Sequence, residues 1–183
     1  MSACRLTCGA CFAAFTDRSG AMRRVRIPDM QHLTVRPAQV SDRDELAAMR
    51  ALLWPDASIE DHRKEIDAIL KGETPGGLPL AFLVEVDERR APFGFLEVGL
   101  RSHADGCIPA LPVGFVEGWF VREGARRRGV GRALMRAAED WARARGCLEM
   151  GSDALIDNEA AQRAHDALGF EVVDRCVHYR KAL

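Results

Sequence analysis

Between Val113 and Arg145 the chain passes from an apolar run through a pair of glycines into a long helical repeat, and that order leaves few folds open. Val113 to Val121, containing Trp119 and Phe120, has the composition of a buried strand. The tight segment Arg126-Arg127-Arg128-Gly129-Val130-Gly131 follows, and then Val130, Leu134, Ala138 and Trp141 recur on one helix face. Glu139 and Arg143 form a favourable pair one turn apart on the wetter side. A strand, a glycine turn and a helix together make an anion site. The first amides of a helix have no partner within it, and its dipole puts partial positive charge at that end. Two glycines let a phosphate approach the backbone closely, and the arginines add cationic reach. No Lys-Ser/Thr pair follows, which excludes a Walker loop, and Leu134 stands where a dinucleotide fingerprint requires its third glycine.

The 183 residues suit one domain with a full core, and a net charge of -1 selects no partner by itself. The distribution of charge is more informative. Arg122 to Arg145 holds eight arginines against Glu123, Glu139 and Asp140, which favours an anionic ligand. Trp54 to Asp67 carries Asp56, Glu60, Asp61, Glu65 and Asp67 against Arg63 and Lys64, which suits a cation or simply a solvated helix face. No apolar run approaches a membrane span. Cys4, Cys8 and Cys11 resemble the cluster-binding triplet of radical enzymes that use adenosylmethionine, but the chain lacks the size and strand–helix repeats of such a barrel. Cys107, Cys147 and Cys176 are scattered without histidines at zinc spacing, so reduced thiols and a cytoplasmic protein without metal are expected.

Residues 1–30 show no sustained period and read as a disordered, misassigned or processed extension, with Met22 and Met30 as alternative starts. Residues 31–183 read as a single domain. Leu33 to Arg36 is a short strand. Ser41 with Asp44 then suggests a capped helix that ends at Trp54-Pro55. Ser58 with Asp61 starts a second helix, in which Ile59, His62, Ile66 and Ile69 recur to about Lys71. Ala81 to Val86 and Phe93 to Leu100 are strands around a turn at Asp87 to Ala91. Beyond the central unit, Cys147 to Ser152 is a strand, and Asp157 or Asn158 caps a helix running through Leu168 to the stop at Gly169. Phe170 to Val173 and Cys176 to Arg180 are expected to complete the sheet. The order implies an α/β chain, with a mixed sheet flanked by helices.

Arg126-x-x-Gly129-x-Gly131, placed between a strand and a helix, resembles the pyrophosphate-binding signature of the GCN5-related N-acetyltransferase superfamily. Asn158-Glu159-Ala160-Ala161-Gln162-Arg163-Ala164-His165-Asp166-Ala167-Leu168-Gly169-Phe170 is similar to that superfamily's late segment, where many relatives have tyrosine in place of His165. A narrower resemblance covers roughly Leu33 to Leu183. Leu53-Trp54-Pro55-Asp56, Gly94 to Arg101, Phe115-Val116-Glu117-Gly118-Trp119, Gly151-Ser152-Asp153 and Tyr179-Arg180-Lys181 look like the aminoglycoside 6'-N-acetyltransferases. The resemblance implies a mostly antiparallel mixed sheet, acetyl-coenzyme A as donor, and direct acetyl transfer to the 6'-amine of an aminoglycoside. It also implies a homodimer built partly from the C-terminal strands.

For the donor, the resemblance points to Phe120, Val121, Arg126, Arg127, Arg128, Gly129, Val130, Gly131, Arg132, Asn158 and His165, with the pantetheine arm passing where the strand ending at Val121 parts from the strand that begins at Cys147. Glu97 is the first choice for receiving the amine's proton, because a glutamate in an apolar strand is costly unless paired or facing a cleft. His165 is a candidate donor to the leaving thiolate, since histidine exchanges protons near neutral pH. Trp54, Asp56, Glu97, Glu117 and Asp153 are the candidate acceptor contacts. Each has a plainer reading: core packing for Trp54 and His165, an outward strand position for Glu97 and Glu117, a turn or cap for Asp153. An acetyltransferase for another polyamine, small molecule or peptide amine is the first rival function. A noncatalytic acyl-coenzyme A module is the second. A nucleic-acid binder would need a recognition helix or stacking aromatics that the sequence does not supply.

Overall fold

The computed structural model describes residues 34–74, 80–86 and 91–182. The 1–30 extension, with its cysteine triplet, lies outside them. Five strands form one sheet in chain order: β1 (Thr34–Pro37), β2 (Leu80–Val86), β3 (Pro92–Arg101), β4 (Val113–Val121) and β5 (Met150–Ser152). The first four are antiparallel neighbours, and β5 joins β4 in parallel. That single parallel step needs a crossover, which the helix α3 (Val130–Arg143) supplies. This is the mixed, mostly antiparallel sheet with flanking helices that the resemblance implied.

The strands divide two cores by their period of two. Phe95 and Phe120 face α1 (Arg43–Leu53) and α2 (Ile59–Leu70), packing with Leu46, Met49, Leu53 and Ile66. Leu96, Val98, Val116, Trp119 and Val121 face α3, against Val130, Leu134, Met135 and Ala138. The α3 stripe read from the sequence is therefore its buried face, with Trp141 half-buried at its edge. Glu139 accepts from Arg143 at 2.9 Å on the exposed side.

Capping agrees with the sequence for α2 and not for α1. The Ser58 hydroxyl accepts the Asp61 N–H at 3.1 Å. Before α1, Ser41 lies inside a 3-10 turn (Val40–Asp42), and the residue at the helix start is Asp42, whose side chain caps that turn and makes no cap bond to α1. Arg36 holds the Asp42 carboxylate at 2.7 and 2.9 Å, and the same carboxylate accepts the Gln39 N–H. The bond to Arg36 helps hold the Asp42 carboxyl below its ordinary range despite burial.

Two strand expectations fail. The strand expected from Cys147 begins only at Met150, because Cys147 closes the turn after α3 by donating to the Ala142 carbonyl. The two C-terminal strands do not form. Residues 170–182 make no strand, and Val172, Val173, Val177 and Tyr179 are exposed. Their alternating pattern is strand-like, but a strand needs a neighbouring edge to take up its backbone groups, and within one chain this segment pairs with none.

Candidate active site

At the end of β4 the chain turns through a short 3-10 segment (Glu123–Ala125) into the arginine run. Gly129 sits at φ 90 as the residue before α3, in the left-handed region that glycine enters without cost, and Arg127 is also left-handed at φ 61. Open space surrounds the position a Gly129 side chain would take. Arg127, Arg128, Gly129 and Arg132 are exposed, so the first amides of α3 and these cations face outward together. Other members of the expected donor site have structural duties. Val130 is a core residue. Gly131 is the close-approach glycine, because a Cβ there would stand 2.7 Å from Trp119 Cζ2. Arg126 turns back so that its Nε donates to the Val121 carbonyl at 3.0 Å, so both support the turn. Phe120 packs its ring on Phe95, leaving only its backbone for a ligand. Asn158 Oδ1 caps α4 (Glu159–Asp166) by accepting the Ala161 N–H.

β4 and β5 pair only from Gly114–Met150 to Val116–Ser152. β4 then runs on to Val121 while β5 ends, and this parting is the opening expected for the pantetheine arm. His165 stands beside it, 9 % exposed, with the rings of Trp119 and Phe170 edge-on at 5.7 and 5.2 Å. Its Nδ1 lies 2.8 Å from the Ala161 carbonyl, and its Nε2 lies 2.9 Å from Ser152 Oγ. A carbonyl only accepts, so Nδ1 carries a proton, and in the neutral ring Nε2 accepts the Ser152 hydroxyl. In that state the imidazole is an acceptor toward β5, and Ser152 is the hydroxyl next to the opening.

Of the expected acceptor contacts, Trp54 and Glu97 lie on the α1–α2 face of the sheet. Glu97, 4 % exposed, shares a face of β3 with Phe95. Its Oε2 lies 3.6 Å from Arg50 Nε on α1 and takes no hydrogen bond among the described residues. Burial raises the Glu97 carboxyl to about 7; Arg50 pulls it down, while Glu117 and Glu65 push it up. A β-bulge follows Glu97, where Glu97 pairs with Gly118 but Val98 pairs with Val116. The extra residue is Glu117, and its carboxylate meets Arg101, at 2.9 and 2.6 Å. Arg101 in turn lies 3.3 Å over the Phe115 ring.

Trp54 ends α1 and covers Gly118, with the Arg50 guanidinium 4.9 Å from its ring centroid. His62 on α2 lies with Nε2 3.1 Å from the Trp54 carbonyl, and burial lowers its pKa, so it is a neutral donor fixing the helix end. Trp54, Glu97 and Glu117 are therefore brought together. Asp56 stands apart, exposed in the turn between α1 and α2. Asp153 follows β5 and shares a cavity of about 830 Å³ with Ser152, Glu117, Arg101 and Asp105. Glu117 lines the cavity, and its neighbour in sequence, Gly118, lies under Trp54. Sequence reasoning missed Arg50, Arg101 and Ser152. Arg50 alone left a signal, a charge within the apolar stripe of α1.

The profile of the acetyltransferase (GNAT) family matches residues 46–170, which include both the glycine turn and His165. The chain is a GNAT acetyltransferase. The family's co-substrate is acetyl-coenzyme A, and the open glycine, outward amides and exposed arginines at the start of α3 suit its phosphates. The chain is 42% identical over 149 residues to an aminoglycoside N(6')-acetyltransferase type 1 of Klebsiella aerogenes, covering 81% of this chain and 96% of that one. It is 39% identical to the protein of the same description from Serratia marcescens, with 79% and 97% covered. Among solved structures, AAC(6')-Iy in complex with the bisubstrate analogue CoA-S-monomethyl-acetylneamine superposes with a TM-score of 0.74 at 31% identity, covering 83% of this chain and 99% of that one. Among the described residues of this GNAT protein, no group of His, Cys, Asp and Glu is placed to hold a metal. No helix described is long and apolar enough to cross a membrane.

Proposed function

We propose that this acetyltransferase is a cytoplasmic enzyme that moves the acetyl group of acetyl-coenzyme A to the 6'-amine of an aminoglycoside and so confers resistance. The observation that carries the reading is Glu97, a buried carboxylate with an oxygen open to a hydrogen bond, set beside the Trp54 wall and the Glu117 carboxylate. Close similarity to the aminoglycoside N(6')-acetyltransferases supports the choice of acceptor.

Aminoglycosides are polycations; the cavity offers the Glu117 and Asp153 carboxylates, and Glu97 and the Trp54 indole meet about Gly118, next to Glu117. The acetyl donor supplies a thioester whose phosphates the start of α3 holds through Arg127, Arg128, Gly129 and Arg132. As the amine nitrogen bonds to the acetyl carbon, it must lose a proton, which Glu97 accepts directly or through a water. The carbon–sulfur bond then breaks, and the thiolate takes the Ser152 hydroxyl proton while a protonated His165 returns one to Ser152 from Nε2. Holding both partners in one cleft makes the step effectively unimolecular, without a covalent enzyme intermediate.

The C-terminal segment supports a homodimer. Its alternating Val173, Val177 and Tyr179 are exposed in one chain, and pairing with a second copy would bury them and satisfy their backbone.

The test is direct. Purified protein with acetyl-coenzyme A is offered kanamycin A, paromomycin (6'-hydroxyl in place of the amine), spermidine and a peptide N terminus, and products are read by mass and NMR. Acetylation of kanamycin at the 6'-nitrogen with none of paromomycin is expected. Faster acetylation of spermidine or the peptide would replace the aminoglycoside with another amine.

A further inference from the structure

Glu97 is not the only buried charge at the acceptor side. Arg50 is 6 % exposed, on the face of α1 that otherwise packs Leu46, Met49 and Leu53 against the sheet. Removing a guanidinium from water is costly unless charges and hydrogen bonds replace the water. Arg50 has Glu65, Glu97 and Trp54 among its neighbours. Its Nη2 donates to Glu65 Oε2 on α2 at 3.0 Å. Its Nε stands 3.6 Å from Glu97 Oε2 on β3. Its guanidinium lies 4.9 Å from the Trp54 ring centroid.

We propose that Arg50 is a positioning residue for acetyl transfer, whose buried guanidinium holds the Glu97 carboxylate between β3 and the α1–α2 pair in the form that accepts a proton. The proposal rests on the reading of Glu97 as base and adds how that base is made competent. A carboxylate this deeply buried favours its neutral form, which accepts no proton. The pairing is too long for a hydrogen bond, so the attraction is Coulombic and leaves Oε2 without a hydrogen bond among the described residues. The other groups acting on Glu97 oppose Arg50. Glu65 on α2 and Glu117 on β4 both favour the neutral form. On β2, the register partner of Glu97 is Phe82, which does not titrate. Arg50 is thus the cation that tips Glu97 toward its working state, while Glu65 shares that cation and weakens its pull. Glu65 is half exposed, so its share is partly screened by water.

The experiment measures kcat and kcat/KM for acetylation of kanamycin from pH 5.5 to 9. Wild type, Arg50→Met, Arg50→Lys, Glu65→Gln and Glu97→Gln are compared, with acetyl-coenzyme A affinity and Tm recorded for each. Arg50→Met keeps the apolar stem and removes the charge. It is expected to move the acidic limb upward by about one pH unit or more and to lower kcat about tenfold at pH 7, with acetyl-coenzyme A affinity unchanged. Arg50→Lys should return the limb toward wild type. Glu65→Gln, on the exposed side, should fold normally and move the limb the opposite way, to lower pH. That variant also decides the matter if Arg50→Met does not fold.

A limb that stays at the wild-type pH in Arg50→Met or in Glu65→Gln, while Glu97→Gln abolishes it, overturns the role of Arg50 and leaves Glu97 as the base. A limb that persists in Glu97→Gln overturns the base and Arg50 together.

Discussion

The indole of Trp54 occupies the space that a side chain on Gly118 would need: a Cβ there would lie 2.4 Å from Trp54 Cη2. The contact joins the C-terminal end of α1 to β4 one residue beyond the bulge, opposite Glu97 in the sheet. Gly118→Ala must push Trp54 and, with it, the Arg50 guanidinium. We expect a loss of about 1–3 kcal/mol in stability, read by urea unfolding, and a raised KM for kanamycin with acetyl-coenzyme A affinity intact. A variant with unchanged unfolding and unchanged KM would show that the indole moves freely and forms no wall.

Gly131 makes the corresponding close contact on the opposite face, where a Cβ would meet Trp119 Cζ2 at 2.7 Å. Trp119 is only 2 % exposed and has little room to yield. Gly131→Ala should therefore tilt the start of α3 off the sheet. The expected result is weaker acetyl-coenzyme A binding by calorimetry, by about tenfold, although alanine is the better helix former by about 1 kcal/mol. Higher stability with normal binding would mean that helix propensity wins and the close approach is dispensable.

The arginine run should divide by function. Arg127 and Arg128 are exposed, whereas Arg126 is tied to the Val121 carbonyl. Arg128→Ala is expected to weaken acetyl-coenzyme A binding and to reduce its dependence on salt, with Tm unchanged. Arg126→Ala should lower Tm as well, because it also frees a buried carbonyl beside the turn. Equal Tm for the two variants would contradict the division.

Glu97 also makes stability depend on pH. Its folded pKa of about 7 lies above the ordinary glutamate value of 4.5, so between these values the native state binds more protons than the unfolded one. Its contribution is fully present below pH 4.5 and is lost as pH rises through 7. Glu97→Gln does not titrate, so the Tm difference, variant minus wild type, should grow from pH 5 to pH 8. A constant difference over that range would place Glu97 in contact with water.

Much of this architecture was legible because local chemistry and tertiary packing agree. The α3 stripe, the Ser58 cap and the Gly169 stop all stand where residue type and spacing put them. The turn residues Arg126 and Gly131 were expected as ligand contacts, and the structure adds contacts to the protein, Arg126 to the Val121 carbonyl and Gly131 close against Trp119. A phosphate-binding turn and a tightly packed turn demand the same glycines. Arg50 and Arg101 were not legible as site residues, because their importance depends on partners fifteen and sixteen positions away. The Ser41 cap was misread for a similar reason: Arg36, on a strand, holds Asp42 in a 3-10 turn that takes in Ser41. The C-terminal strands were misread because period two reports a propensity for pairing and cannot say which chain supplies the other edge.

The parallel pairing of β4 with β5 extends over three positions only, and it joins segments separated by the whole of α3. The hairpins β2–β3 and β3–β4 close through nearer neighbours in sequence, and β5 is the shortest strand, so it is a weaker rung of the sheet than they are. Its amides, at Met150 to Ser152, should exchange with deuterium well ahead of those in β3 and β4. Any molecule that wedges between the two strands and bridges them would slow that exchange, so its occupancy could be followed at this seam without any turnover.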